Sequence, residues 1–153
     1  MRIDHIRLKN WLNFRRVDAV LADTTYLIGP NASGKSNFLD VFRFLRTVSD
    51  ASGGGLQRAV ADRGGIRKLR CLQARQDTEV RIEVQLSDGA GDDRTEWLYV
   101  LGFKSEGTGR QRPMVSEERV EHNGNCILSR PNDKDKVDKE RLTQSHLEQV
   151  NAN

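Results

Sequence analysis

The sequence predicts an α/β fold, and three observations carry that prediction. A short apolar run, Tyr26-Leu27-Ile28, leads into a glycine-rich loop and then into a segment with helical periodicity. Apolar and polar residues alternate from Val80 to Leu86, which is typical of a half-buried strand. Asn123-Gly124, between two strand-like segments, is a strong signal for a β-hairpin. We therefore expect a strand–loop–helix unit joined to antiparallel strands.

The elements follow in order along the chain. Residues 2–9 and 17–21 have strand patterns with a bend at 10–13, and residues 26–28 resemble a central strand. After the loop, a helical stripe is formed by Phe38, Val41, Phe42, Leu45 and Val48, with Phe44 broadening it. Glycines at 53–55 and 64–65 then interrupt the chain around a short helical turn at 56–61.

Antiparallel strands are expected over residues 78–130, which we interpret as a β-subdomain. Residues 131–139 are polar and charged, and a helix pattern begins at residue 140. The predicted organisation is a first unit over residues 1–130 and a charged linker with the start of a helix over 131–153.

The loop between strand and helix has the sequence Gly29-Pro30-Asn31-Ala32-Ser33-Gly34-Lys35-Ser36 and matches the pattern G-x-x-x-x-G-K-[ST]. The glycines allow successive backbone N–H groups to converge on phosphate oxygens. Lys35 reaches the β- and γ-phosphates as the catalytic cation, and Ser36 offers its hydroxyl to Mg²⁺. The predicted cofactors are therefore ATP and Mg²⁺, held by the loop residues and Asn37.

Size and composition limit the alternatives. The chain has 153 residues, enough for one domain, and no apolar run approaches the about 20 residues of a membrane span. Its start lacks the apolar core of a signal peptide. Cys71 and Cys126 are too few for a disulfide framework. We expect a cytoplasmic protein without a membrane segment.

Positive charge is concentrated between residues 58 and 75, although the net charge of the chain is only +3. The candidates for contact with a DNA backbone are Arg63, Arg67, Lys68 and Arg70. A solvated face or a subunit contact is the alternative, because no aromatic residue is interleaved with these charges.

Other residues resemble functional motifs only in part. Asp23 ends an apolar segment, as a Mg²⁺-binding acid would, but an edge strand ending in a turn explains it better. Ser52-Gly53-Gly54 is explained as a glycine loop that ends the first helix. His122 and Cys126 have no further nearby ligands that would complete a zinc site.

Three segments together carry a resemblance to a known family. They are Ile6-x-Leu8-Lys9-Asn10, Asn13-Phe14-Arg15, and the loop continued by Asn37-Phe38-Leu39-Asp40. The sequence resembles the amino-terminal lobe of ABC-type ATPases of the SMC and RecF kind, and more narrowly the RecF-like "AAA family" ATPases of bacteria. The resemblance covers nearly the whole chain, with the phosphate loop as its most specific part.

The resemblance implies ATP hydrolysis between two heads and a role in DNA maintenance, repair or defence. It implies a homodimer formed through a second lobe that would follow this chain. It also implies a glutamine that joins the Mg²⁺ shell and acts in catalysis, for which Gln144 is the candidate; Gln57 and Gln73 are less well placed. A nucleotide-binding switch that does not hydrolyse ATP is the alternative, and a P-loop kinase is a third.

Overall fold

The computed structural model describes residues 1–73, 77–89, 91–107 and 111–151, and within these residues six strands form one antiparallel sheet. The strands are β1 (Arg2–Trp11), β2 (Phe14–Val20), β3 (Val80–Asp88), β4 (Thr95–Ser105), β5 (Pro113–His122) and β6 (Asn125–Arg130). Their order across the sheet is β2-β1-β3-β4-β5-β6. The predicted antiparallel strands are confirmed, but they share their sheet with the first hairpin of the chain.

Helices cover the inner face of this sheet and its end. They are α1 (Lys35–Val48), α2 (Gly55–Ala61), α3 (Ile66–Leu69), α4 (Asp133–Val137) and α5 (His146–Asn151). The first of them follows the predicted stripe, with Phe38, Val41, Phe44 and Val48 buried. The mixed α/β class is therefore confirmed.

Phe44 is the centre of the contact between α1 and the sheet, rather than its margin as predicted. Its ring is fully buried, meets Trp11 edge-on at 5.1 Å between centroids and stacks on Phe103 at 5.5 Å. Aromatic pairs in these geometries add to the free energy gained by burying the rings themselves. The phosphate-loop helix is therefore fixed against β1 and β4.

The outer face of the sheet carries ion pairs along β5 and between β5 and β3, across β4. Arg81 pairs with Glu117 at 3.2 Å, and Arg119 pairs with Glu121 at 2.6 Å. Val100 lies on this same outer face, yet its side chain is fully buried between the cross-strand neighbours Glu83 and Arg119. Long charged side chains therefore cover an apolar residue that would otherwise face water.

Residues 26–28 do not form the strand that the sequence predicts. Tyr26 and Ile28 are 82% and 93% exposed, and Leu27 is 42% exposed. A strand is stable only when another strand takes up its backbone N–H and C=O groups. No strand in the described part of the chain lies beside this segment, so apolar composition alone does not make it part of the sheet.

Residues 131–151 also differ from the predicted polar loop and continuous helix. Helix α4 begins at a capping box. The Asn132 side chain accepts a hydrogen bond from the Asp135 backbone N–H, and the Asp135 side chain accepts one from the Asn132 backbone N–H. A 3-10 turn at Lys139–Thr143 follows, and the chain straightens at Gln144 before α5 begins. This segment packs on the sheet and is not a free linker.

A buried polar network fastens that segment to β5 and β6. Glu118, on β5, accepts hydrogen bonds from Arg130 at 3.0 Å, from Ser145 at 2.8 Å and from Tyr99 at 3.0 Å. Arg130 also donates to both carboxylate oxygens of Asp135, at 3.1 and 3.0 Å. Hydrogen bonding to Arg130 lowers the pKa of Asp135 to about 2, and burial raises the pKa of Tyr99 well above its usual range. The charges of the network are thus paired inside the protein.

Candidate phosphate-binding site

The predicted phosphate loop runs directly into the first turn of α1. Gly34, the residue before the helix, has φ of 100°, a left-handed conformation that glycine adopts without strain. The first hydrogen bond of the helix runs from the N–H of Phe38 to the carbonyl of Gly34 at 2.9 Å. No acidic residue lies in the first turn of the helix. The N–H groups at this end can therefore bind an anion with the favourable orientation of the helix dipole.

Lys35 lies folded back over the loop. Its Nζ donates to the carbonyl oxygens of Gly29 and Pro30, both at 2.7 Å. Ser36, the next residue, is exposed at the helix start. The ammonium group therefore lies over the loop with two neutral carbonyl partners, for which an anionic oxygen would be a stronger replacement. Charge-assisted hydrogen bonds of this kind are about twice as strong as neutral ones.

The turn between β1 and β2 packs against the end of the phosphate loop and the start of α1. A Cβ on Gly34 would lie 2.5 Å from Asn13 Nδ2 and 2.7 Å from Phe14 Cζ, so a side chain there would displace both residues and would also strain the backbone at its φ of 100°. The amide of Asn37 donates to Asn13 Oδ1 at 2.8 Å, and the indole of Trp11 donates to the carbonyl of Asn37 at 2.7 Å. This brace was not predicted. Its sequence signal is the Asn13-Phe14 pair that contributed to the family resemblance.

The structure separates Arg63 from the other candidate DNA contacts. Arg63 forms a two-point ion pair with Asp40 of α1, with Nε at 2.6 Å and Nη2 at 2.9 Å from the carboxylate oxygens. Its guanidinium also lies 5.2 Å from the centre of the Phe44 ring. Because its side chain is only 13% exposed, Arg63 holds α2 against α1 and is not available as a surface contact. The prediction of Arg63 as a DNA contact is therefore corrected.

Arg67, Lys68 and Arg70 remain at the surface on α3 and directly after it. Arg67 and Lys68 are exposed, and Arg70 is half-buried. Ion pairs between these three side chains and the described acidic residues are absent. Arg75, at the end of the basic stretch, lies outside the described residues.

Gln144, the candidate magnesium ligand, lies near strand β6, at the edge of the sheet away from β1 and β2. It is exposed, and its backbone carbonyl accepts a hydrogen bond from Arg130 of β6 at 3.1 Å. Strand β6 is four strand spacings from β1, or about 19 Å at about 4.8 Å per strand. The structure thus brings Lys35 and Ser36 together at the loop, but it does not bring Gln144 to them.

The residues that only partly resembled functional motifs have structural roles. Asp23 pairs with Arg2, at the end of edge strand β2. The ring of His122 stacks on Trp97 at 4.1 Å, and Cys126 is exposed without a disulfide partner. Across the residues that the structure describes, no group of histidine, cysteine and acidic side chains could hold a metal ion. Every helix in the described ranges is too short or too polar to cross a lipid bilayer.

Residues 25–149 match the family described as "AAA domain, putative AbiEii toxin, Type IV TA system". The match begins just before the phosphate loop and extends into α5. It therefore includes the site, the sheet from β3 to β6 and the buried polar network.

Individual relatives are proteins described as DNA replication and repair protein RecF. The protein from Clavibacter michiganensis subsp. michiganensis is 30% identical over 99 residues, which cover 60% of this chain and 23% of the relative. The proteins from Roseiflexus castenholzii and Chloroflexus aurantiacus are 32% and 34% identical, and each alignment covers 61% of this chain and 26% of the relative. The chain thus spans about a quarter of the length of these curated relatives, and the resemblance to RecF-like ATPases is confirmed.

Proposed function

Because the chain belongs to the AbiEii-type family of AAA domains, we propose that it binds Mg-ATP through residues 29–37. The observation that carries the proposal is the position of Lys35, whose ammonium group lies over the loop carbonyls at 2.7 Å. Exposed Ser36 would supply the hydroxyl to Mg²⁺, and the start of α1 would supply N–H groups to the phosphates.

Replacing Lys35 by alanine is expected to weaken the binding of Mg-ATP by about ten- to hundredfold. The change removes a charge-assisted contact of about 1.5–3 kcal/mol while leaving the backbone of the loop in place. Isothermal titration calorimetry of both proteins measures the difference. Lys134→Ala is the matched control, because Lys134 is exposed on α4 at the opposite side of the sheet. Equal affinity of the Lys35 variant and the wild type would refute the proposal.

The wider proposal is that this chain is the amino-terminal lobe of an SMC/RecF-like head that hydrolyses ATP between two copies of the intact protein. Two findings support it: the aligned region covers only 23–26% of each RecF relative, and the apolar segment at 26–28 lies unpaired beside the loop. A neighbouring strand supplied by a second lobe would cover that segment. In this proposal Gln144 reaches the Mg²⁺ shell only through a rearrangement of the intact head.

A nucleotide switch without hydrolysis is the second candidate, and one observation favours it. Among the described residues, no carboxylate forms a hydrogen bond or ion pair with Lys35 or Ser36, where hydrolysis would use one to hold Mg²⁺ or to position water. Steady phosphate release by the purified chain, lost in Lys35→Ala, would decide against this second candidate.

The names of the RecF relatives refer to DNA replication and repair, and we propose that Arg67 and Lys68 contact the DNA backbone. Replacing both residues by alanine should then flatten the dependence of log affinity on log salt by about two units, because each neutralised phosphate contributes about 0.9. A fluorescence titration of duplex DNA over several salt concentrations gives the slope. Identical slopes for wild type and variant would show that these two residues do not bind DNA.

A further inference from the structure

Residues 63–71, here called the basic strap, are anchored at one end to the phosphate-loop helix and at the other to the end of β1, which contacts that helix through Trp11. The strap contains α3 and the two exposed cations Arg67 and Lys68. Its two anchors reach successive turns at the start of α1. A displacement of the start of α1 would therefore displace the strap as well.

The first anchor is the ion pair between Arg63 and Asp40. Its geometry is bidentate, and Arg63 Nη1 donates in addition to the carbonyl of Ala59 at 2.7 Å, which fixes the guanidinium to the end of α2. Asp40 lies five residues after Lys35, on the second turn of α1. The two partners of a bidentate arginine–carboxylate pair of low exposure are held in one orientation, so a displacement of one displaces the other.

The second anchor is a short antiparallel contact with the end of β1. The N–H of Leu12 donates to the carbonyl of Leu69 at 2.7 Å, and the N–H of Cys71 donates to the carbonyl of Asn10 at 3.0 Å. Between them Arg70 lies opposite Trp11, whose indole bonds the carbonyl of Asn37. This end of the strap thus rests on the same brace that supports Gly34.

Binding of a triphosphate would change the contacts of Lys35, which precedes both anchor points on α1. Lys35 bonds two carbonyls of its own loop, and phosphate oxygens would compete for that ammonium group. Any shift of the first two turns of α1 reaches the strap through Asp40 and through Asn37 with Trp11. The exposed cations of the strap would move with it.

We propose that Asp40 and Arg63 are a positioning pair that couples nucleotide bound at the phosphate loop to a nucleic-acid backbone bound at Arg67 and Lys68. This inference rests on the proposed function of both sites and adds the link between them. Because such coupling is a free energy shared by two ligands, each ligand must change the affinity of the other by the same factor.

The experiment measures that factor in the 153-residue chain at fixed salt. Affinity for a labelled DNA duplex is determined by fluorescence anisotropy with and without a Mg-ATP analogue that resists hydrolysis, and analogue affinity is determined with and without DNA. For the wild type we expect reciprocal factors of about five or more. In Asp40→Asn each ligand alone should bind within about twofold of wild type, while the factor falls close to one.

Two further variants test whether the coupling factor depends on the geometry of the Asp40–Arg63 pair or only on the charges near the strap. Asp62→Asn removes one negative charge beside the strap, where Asp62 pairs only at 3.7 Å with Arg58, and it should leave the coupling factor unchanged. Arg63→Lys keeps the charge but not the two-point geometry, so part of the factor should remain. Circular dichroism and thermal melting establish that each variant is folded.

The possible outcomes are distinct. An unchanged factor in Asp40→Asn, or the same loss in Asp62→Asn, would overturn the positioning role. A wild-type factor of one, or no DNA binding at all, would also overturn it, while nucleotide binding that depends on Lys35 would still support the proposed function of the loop. A factor that falls in Asp40→Asn only because the analogue no longer binds would make Asp40 a structural residue of the loop.

Discussion

Replacing Glu118 by alanine is expected to lower the free energy of unfolding by about 3–5 kcal/mol, the usual cost of breaking a buried ion pair from one side. Glu118 is fully buried and accepts hydrogen bonds from Arg130, Ser145 and Tyr99, as well as from the N–H of His146. The variant leaves Arg130 charged in the interior, with Asp135 as its remaining acidic partner among the described residues. Residues 132–147 should then lose their attachment to β5.

Urea denaturation followed by circular dichroism measures this loss, and hydrogen exchange should show the earliest loss of protection at the N–H groups of His146 and Leu147, which donate to Glu118 and to Ser145 Oγ. Glu121→Ala is the matched control on the same strand. Glu121 lies on the outer face, where it pairs with Arg119, and because these side chains keep 21% and 35% exposure, its loss should cost clearly less than that of fully buried Glu118. Equal losses in the two variants would show that the buried network does not stabilise the fold.

Replacing Phe44 by alanine is expected to cost about 3–5 kcal/mol as well, because the ring fills the space between α1 and the sheet. The variant removes contacts to Trp11 and Phe103 and leaves a cavity beneath the phosphate-loop helix. It also removes the ring face on which Arg63 lies. We expect a lower midpoint of thermal unfolding and weaker binding of Mg-ATP.

Phe42→Ala is the control for this variant. Phe42 is on the same helix and of the same size, but it is only half-buried, at the side of the contact. Its replacement should cost clearly less than that of Phe44. If the two variants were equally unstable, the packing of α1 would be spread over its whole surface and would not depend on one central ring.

The sequence predicted those elements whose signals are local. The helical stripe from Phe38 to Val48 and the turn at Asn123-Gly124 each determine their structure within a few residues, and both are present. The glycines and the lysine of the phosphate loop are likewise recognised by spacing alone. Such features need no knowledge of the rest of the chain.

The remaining features depend on partners that a single sequence does not identify. Ile28 lies in an apolar run, but a strand there requires a neighbour, and the described strands provide none. Arg63 is indistinguishable in sequence from Arg67, and only the position of Asp40 one helix away makes it a structural residue. Asn132 and Asp135 did carry a local signal, the spacing of a capping box, which could have predicted α4.

The burial of Val100 limits the substitutions that related sequences can accept at the residues that cover it. It is a fully buried apolar residue on the face of the sheet that looks polar by composition, and its cover is the side chains of its cross-strand neighbours. Substitutions at Arg119 are therefore restricted by the length of the methylene stem as well as by charge. Related sequences should accept lysine or glutamine there more readily than aspartate or serine, so this surface position evolves under the packing constraints of an interior one.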